Sequence, residues 1–158
     1  MSDITLSELK ERIQILPESV ATALRRAYIH RFVDIDSDYF RRSIAAEKKY
    51  TDGWYYEGYL WNCLKSFQII REETFYELLC EKGAVYLFWD LHSEEKILTR
   101  PYWHFPRDAV LRLEGTDAVR GERYFPDDIY TFDASLEWTL VRTYTILDAY
   151  IRRCACAS

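Results

Sequence analysis

The sequence has few of the residues from which catalytic, metal and cofactor sites are usually built. It contains three histidines, five glycines and four cysteines among 158 residues. No glycine-rich phosphate loop or dinucleotide-binding fingerprint is present, and the chain also lacks a nucleophile elbow and a zincin helix. The common enzyme signatures are therefore absent, although a site assembled from distant residues would leave no such motif.

Long hydrophobic runs are also missing. The apolar runs extend over only a few residues each, whereas a transmembrane helix needs about 20. The first residues, Met-Ser-Asp-Ile-Thr, lack the basic and apolar regions of a signal peptide. We therefore expect a cytoplasmic protein with no membrane partner, folded as one domain over residues 1–158, and we predict no structure for the tail 146–158.

The cysteines agree with that compartment. Cys63 and Cys80 fall in helical patterns, where a buried free thiol is the usual state. Cys154 and Cys156 form a Cys-x-Cys pair, which would hold a soft metal only with two further ligands from elsewhere in the chain. We predict neither a metal nor a cofactor.

The net charge of −5 is unevenly distributed. Residues 19–49 carry seven bases against four acids, and residues 107–137 carry four arginines against eight acids. Two solvated faces of opposite sign are the favoured interpretation. A nucleic-acid partner is not expected. The basic stretch from Arg25 to Lys49 nevertheless keeps nucleic-acid binding as an alternative function, besides the two described below.

Apolar spacing predicts helices in the first half of the chain. Thr5 and Glu8 form a capping box that begins a helix, which should continue to Pro17. A second helix is expected from about Ser19 to Phe32, and a third around residues 39–44. A further helix should end at Lys82-Gly83, and a short one is expected around residues 110–113, followed by a polar connection over 115–126.

Two segments predict a sheet. Ala84 to Trp89 is a continuous apolar run of strand length, typical of a central strand covered on both faces. Residues 128–143 read as two strands joined by a turn at Asp133-Ala134-Ser135, with a short additional strand at 96–98. We therefore predict an α+β fold in which N-terminal helices pack on a small antiparallel sheet of three or four strands that ends in a C-terminal β-hairpin.

The histidines suggest one possible site. Asp90 and His92 would project to the same side at the end of the central strand, and His104 could approach from a proline-bounded loop. With Glu94 or Glu95 they could form a metal site or an acid/base pair. A metal-assisted hydrolase using Asp90, His92 and His104 is therefore the alternative function.

Aromatic side chains in loops provide a different signal. One aromatic loop follows a predicted turn at Thr51-Asp52-Gly53. Exposed Trp and Tyr residues often anchor interfaces, although large rings can also fold back over a small core. Our candidate partner-binding residues are those in the two aromatic segments: Trp54, Tyr55, Tyr56, Tyr59, Tyr102 and Trp103.

Three stretches together carry a resemblance: Tyr59-Leu-Trp61, Val85-Tyr-Leu-Phe-Trp-Asp90 and the run from Ile129 to Val141. Across roughly residues 54–143 the chain resembles an uncharacterised bacterial family of small cytosolic α+β domains. It is also similar in outline to SUKH-type immunity proteins, which bind and neutralise toxins, and Leu16-Pro-Glu18 is similar to their start. The chain has Thr143-Tyr144-Thr145 where the first family ends its last strand in Thr-His-Glu, so no role for that His or Glu is transferred. Together with the loop aromatics, the resemblance favours a non-enzymatic cytosolic protein-binding domain. The similarity to SUKH-type proteins adds toxin-neutralising immunity as one function that such a domain could have.

Overall fold

The computed structural model describes residues 2–96, 103–143 and 153–157. Its α-helices are α1 (Leu6–Arg12), α2 (Glu18–Phe32), α3 (Glu72–Glu81) and α4 (Gly115–Arg120). A π-helix covers Phe40–Ile44, and 3₁₀ turns cover Leu60–Cys63, Glu94–Lys96 and Glu122–Tyr124. The strands are β1 (Gln14–Ile15), β2 (Lys48–Tyr50), β3 (Gly53–Tyr55), β4 (Gln68–Ile69), β5 (Ala84–Phe88), β6 (Leu111–Glu114), β7 (Ile129–Phe132), β8 (Trp138–Arg142) and β9 (Arg153–Ala157).

One antiparallel sheet organises the fold. Within the described residues it has seven strands in the order β1-β6-β5-β7-β8-β9-β4, while β2 and β3 form a separate hairpin. The predicted α+β class, the antiparallel sheet and the hairpin of β7 with β8 are confirmed. The predicted count of three or four strands is wrong. Strands β1 and β4 contain only two residues each and show no strand pattern, β6 was predicted as a short helix, and β9 lies in the tail for which no structure was predicted.

The central sheet is covered on both faces, as predicted for β5. On one face α2 packs Tyr28 against Phe88, Tyr130 and Phe132. On the other face, α1, α3 and α4 cover the alternate residues of the same strands, including Leu87. The two faces therefore form separate apolar cores divided by the sheet.

A hydrogen-bond chain ties α2 to the sheet. The Thr139 hydroxyl donates to the Thr131 carbonyl at 2.9 Å, so Tyr28 must be the donor in its 2.8 Å contact with Thr139 Oγ1. Replacing Tyr28 with phenylalanine keeps the ring but removes this donor. We expect the free energy of unfolding to fall by about 1 kcal/mol in a urea titration. An unchanged value would mean that the hydroxyl adds no net stability.

The first helix begins as predicted and ends earlier. The Thr5 hydroxyl accepts a hydrogen bond from the Glu8 amide at 3.1 Å, which confirms the N-cap. The predicted continuation to Pro17 is wrong, because the chain becomes extended at Ile13. Gln14 and the following residue then pair with β6, so edge pairing outweighs the helical spacing.

Two other predictions in the second half are also wrong. The segment 110–113, predicted as a short helix, contains strand β6, in which Leu111 and Leu113 are buried while Arg112 and Glu114 are exposed. The segment 115–126, predicted as a polar connection, contains α4 and a 3₁₀ turn. Apolar and charged residues alternate along β6, and this alternation predicts a strand rather than a helix.

Some predictions fall on parts of the chain that the structure does not describe. Ile97 and Leu98 of the predicted short strand lie outside the described residues, and Glu94–Lys96 is a 3₁₀ turn. Of the tail 146–158, the structure describes only strand β9, which pairs with β8 and β4. In the described part of the chain, no helix combines the length and apolar character needed to cross a bilayer.

Candidate functional site

The candidate site is the hairpin formed by β2 and β3, in a region predicted to be an aromatic loop around a turn at Thr51-Asp52-Gly53. The turn is confirmed, and its glycine adopts φ +135°, a conformation that other residues rarely adopt. Lys49 pairs directly with Trp54, which places both side chains on the same face of the hairpin. Trp54 is 60% exposed, so this face is presented to solvent.

Asp52 anchors the tip of the hairpin to the rest of the fold. Its carboxylate accepts hydrogen bonds from the Ser93 hydroxyl at 2.7 Å, the Glu94 amide at 2.9 Å and the Arg107 guanidinium at 2.5 Å. Partial burial raises the pKa of Asp52, but the bonds from Ser93 and Glu94 and the charge of Arg107 outweigh it, so the net shift is downward. The turn is therefore fixed from two separate segments of the chain.

The opposite face of the hairpin makes contacts with other parts of the chain. The Arg107 guanidinium lies over the Tyr55 ring at 5.2 Å from its centroid. Glu57 accepts hydrogen bonds from the Tyr50 hydroxyl and, at 2.9 Å, from Lys48. The bond to Glu57 is the main cause that raises the pKa of Tyr50 to about 12. These contacts leave the face with Lys49 and Trp54 turned outward.

A buried carboxylate fixes the segment that follows the hairpin. Asp90 Oδ1 accepts hydrogen bonds from the Tyr56 hydroxyl and the Leu60 amide, both at 3.0 Å, and Oδ2 accepts from the Tyr130 hydroxyl at 2.7 Å. The Tyr130 oxygen also accepts from the Trp61 amide at 3.0 Å. Asp90 thus links the end of β5, strand β7 and the chain leaving the hairpin.

The electrostatics of this network follow from its burial. Removal from water raises the pKa of Asp90 to about 6, although the bonds from Leu60, Tyr130 and Tyr56 each act in the opposite direction. Burial, followed by the nearby Asp90 charge, raises the pKa of both tyrosines. The carboxylate is therefore held as a structural acceptor at neutral pH, with all its hydrogen bonds made inside the protein.

Arg25 places a second charged group beside this network. Its guanidinium lies 4.8 Å from the centre of the Phe88 ring and donates to the carbonyls of Trp89 at 3.0 Å and Ala109 at 3.3 Å. Burial lowers the pKa of Arg25, and Asp90 is one of the neighbouring groups that oppose this shift. The basic stretch therefore includes a cation used inside the fold.

The residues of the alternative metal site do not lie together. His92 Nε2 donates to the Gly58 carbonyl at 2.9 Å, and the His104 ring lies against Tyr124 with centroids 5.8 Å apart. In the ranges that the structure describes, no three His, Cys, Asp or Glu side chains form a group able to hold a metal ion. Asp90, His92 and His104 are thus not brought together as one ligand set.

The predicted partner-binding aromatics occupy different environments. Trp54 is exposed, Tyr55 and Tyr59 are half-buried, and Tyr56 is buried against Asp90. Trp103 is half-buried beside Trp89 in the core of the other sheet face, with ring centroids 6.3 Å apart. Tyr102 lies outside the described residues. The structure thus brings Trp54, Tyr55, Tyr56 and Tyr59 into one segment and places Trp103 apart from them.

Several important residues were not identified from the sequence. The sequence placed Asp52 only in a turn, Tyr130 only in a strand, and Lys49 and Arg107 only in charged stretches. The hairpin had a recognisable signal, because Asp52-Gly53 between segments rich in aromatic residues is typical of a tight β-turn. The contacts with Ser93 and Arg107 had none, since they join segments about 40 or more residues apart.

Comparison of the chain with protein-family models, with curated proteins and with solved structures finds no match.

Proposed function

We propose that this chain is a non-enzymatic protein-binding domain that contacts its partner through the hairpin of β2 and β3. The observation that carries the proposal is the Trp54 side chain, which is 60% exposed on an element anchored by Asp52. Exposed tryptophan is among the residues that contribute most to protein interfaces, because its ring removes a large apolar area from water on binding. An anchored hairpin also loses little conformational entropy when it binds.

The surrounding residues support a binding role for this segment. Tyr59 is half-buried and lies 4.9 Å from the His92 ring, so it extends the aromatic surface behind the hairpin. Asp90 supports this surface from inside by accepting hydrogen bonds from Tyr56 and Leu60. A carboxylate used in this way stabilises the presented segment rather than a reacting substrate.

Co-purification from the source cell tests the proposal. We expect a partner to be retained by the wild-type chain and lost by Trp54→Ala, which should leave the free energy of unfolding within about 0.5 kcal/mol of wild type because the side chain is exposed. Phe67→Ala is the matched control, since Phe67 is also an exposed aromatic, at 48%, and should retain the partner. Equal retention by wild type and Trp54→Ala would contradict the proposed surface.

Trp103→Ala separates the two aromatic segments. Because Trp103 packs beside Trp89, this variant must first be shown to be folded by its circular dichroism and unfolding curve. Loss of the partner by a folded Trp103→Ala variant would extend the surface to the second segment, while retention would limit it to the hairpin.

A growth assay tests whether the chain neutralises a toxin. If the captured partner is a toxin, co-expression of the wild-type chain should restore growth of cells that produce it. Trp54→Ala should fail to restore growth while accumulating to the same level. Equal protection by the two proteins would show that neutralisation does not use the hairpin.

A further inference from the structure

We propose that a cleft on the sheet binds a small aromatic carboxylate, with Arg112 pairing with the carboxylate and Tyr86 contacting the ring. The cleft has a volume of about 280 Å³ and is formed by strands β5 and β6 and by the turn between β7 and β8. No residue of the β2 and β3 hairpin lines it. The site is therefore independent of the proposed protein-binding function.

Strand register determines the floor of the cleft. Tyr86 of β5 pairs with Arg112 of β6 on one side and with Phe132 of β7 on the other. Paired residues of neighbouring strands share a face of the sheet. Tyr86 packs against the apolar core on the α2 side, where its ring centroid lies 5.4 Å from that of Phe132. Arg112 is thus held beside a half-buried aromatic ring on the same face.

The turn that forms the wall of the cleft is fixed by helix α2 and by its own hydrogen bonds. The Arg31 Nε–H donates to the Leu136 carbonyl at 2.9 Å, and the Leu136 amide donates to the Asp133 carbonyl at 3.1 Å. The cleft is therefore formed before a ligand arrives, and little conformational entropy has to be lost in ordering its wall.

The one carboxylate that lines the cleft already has partners within the fold. Asp133 accepts hydrogen bonds from the Ser135 amide at 3.0 Å and from the Ser135 hydroxyl at 2.5 Å. Partial burial raises the pKa of Asp133, but the bonds from Ser135 and Trp138 and the charge of Lys82 outweigh it, so the net shift is downward. The negative charge of Asp133 is thus stabilised by its own surroundings and does not depend on Arg112.

Glu114 is a second carboxylate on this face, two residues beyond Arg112 on β6, where it pairs with Ala84. Glu114 does not line the cleft. One of its carboxylate oxygens lies toward the Gly83 end of the strands, 4.0 Å from the position that a Gly83 Cβ would occupy. The Glu114 carboxylate is therefore directed away from the space in which the ligand would lie.

The donors of the cleft remain available to a ligand. Arg112 is exposed, and neither its guanidinium nor the Tyr86 hydroxyl forms a hydrogen bond or an ion pair with any other residue that the structure describes. A guanidinium presents parallel N–H groups whose geometry matches the two oxygens of a carboxylate. The Tyr86 ring and the methyl groups of Ala84 and Ala134 add apolar surface. Together these groups match an anion attached to a flat apolar body, and the volume limits the ligand to a small molecule.

NMR titration of the amide signals tests the site with benzoate as the probe. We expect saturable shifts confined to residues 84–86, 112 and 133–135, with a Kd on the order of 1 mM because the probe is small and the cleft is open. Benzamide has nearly the same shape without the charge, and phosphate has the charge without the ring. Each should bind about 10-fold or more weakly than benzoate.

Substitution of Arg112 separates its charge from its geometry. Arg112→Gln should weaken benzoate binding by about 10-fold or more, while Arg112→Lys, which keeps the charge but not the paired N–H groups, should weaken it by about threefold. Arg26→Gln is the matched control, because Arg26 is an exposed arginine of α2 that does not line the cleft. This control should bind benzoate within about twofold of wild type.

Three results would overturn the proposal. Benzoate that fails to saturate the signals of the cleft, or that binds Arg112→Gln as tightly as wild type, would exclude the site. Benzamide binding as tightly as benzoate would exclude recognition of the charge. Phosphate binding as tightly as benzoate would replace the aromatic carboxylate with an inorganic anion. None of these results would alter the proposed function of the hairpin, which depends on Trp54.

Discussion

Replacing Asp90 with alanine is expected to lower the free energy of unfolding by about 3–5 kcal/mol at pH 7. The substitution removes the acceptor for the Tyr56 hydroxyl, the Leu60 amide and the Tyr130 hydroxyl, all of which are buried. Each buried donor left without a partner costs about 1–3 kcal/mol, partly offset because a buried charge is also removed. Urea unfolding followed by tryptophan fluorescence measures the change.

The pH dependence distinguishes the charge of Asp90 from its hydrogen bonds. The pKa of Asp90 is raised from 3.8 to about 6 in the folded protein, so between these values the native state holds a proton that the unfolded state has lost. Stability contributed by this group is therefore fully present below pH 4 and is lost as the pH rises through 6. The loss amounts to about 3 kcal/mol.

Asp90→Asn provides the reference for that measurement, because it has nearly the same shape and does not titrate. As the pH rises from 4 to 7, the stability of wild type relative to Asp90→Asn should fall by about 3 kcal/mol. The comparison cancels the contributions of the other acids, which titrate in both proteins. A constant difference across this range would show that Asp90 has an ordinary pKa in the folded state.

Replacing Gly115 with alanine is the second substitution with a large expected effect. A Cβ at this position would lie 1.9 Å from the Leu79 carbonyl oxygen and 3.0 Å from its carbon, both backbone atoms. The Gly115 amide also donates to the Gly83 carbonyl at 2.7 Å, which holds the start of α4 against the end of α3. Since the two helices would have to separate, we expect a loss of about 3 kcal/mol or more in thermal or urea unfolding.

Gly83→Ala is the control for Gly115→Ala. Gly83 has φ +70°, which disfavours alanine, but a Cβ there would meet only a Glu114 oxygen at 4.0 Å. Backbone strain alone should therefore cost about 1–2 kcal/mol. Comparable losses in the two variants would contradict a specific close approach of α4 to α3.

The sequence predicted those elements whose pattern is both local and long. The apolar spacing of α2 extends over four turns, and β5 is an apolar run that only a central strand explains. The hairpin of β7 and β8 combines alternation with a turn at Asp133, whose carboxylate accepts a hydrogen bond from the Ser135 amide at 3.0 Å. In each case, neighbours in sequence determine the structure.

The other elements depend on partners that are distant in sequence. β1 and β4 are two-residue strands that exist because β6 and β9 lie beside them. Helix α4 contains only six residues and begins with a glycine, a poor helix former. Such short elements are stabilised by packing rather than by their own propensity, so no local pattern predicts them.

The candidate site was predictable only in part. Trp54 was named as a candidate contact residue because it lies in an aromatic loop beside a turn, and Asp90 was recognised as a polar residue at a strand end. The role of Asp90 as a buried hydrogen-bond acceptor could not be inferred, because Tyr56 and Tyr130 approach it from segments 34 and 40 residues away. Trp54 is exposed and Tyr56 is buried because strand β3 ends at Tyr55, after which the Tyr56 amide donates to the Leu91 carbonyl at 3.2 Å. A contact with a segment so distant in sequence leaves no local pattern.

The pairing of β1 with β6 constrains the order in which this chain can complete its fold during synthesis. Gln14 pairs with Arg112, so the first strand is translated long before the strand beside which it lies. Helix α1 also depends on a distant partner, because the Arg12 Nε–H donates to both carboxylate oxygens of Asp117, each at 2.9 Å. The amino-terminal segment can therefore make these contacts only after residues 111–117 have been synthesised. We expect its docking on the sheet to be a late step of folding.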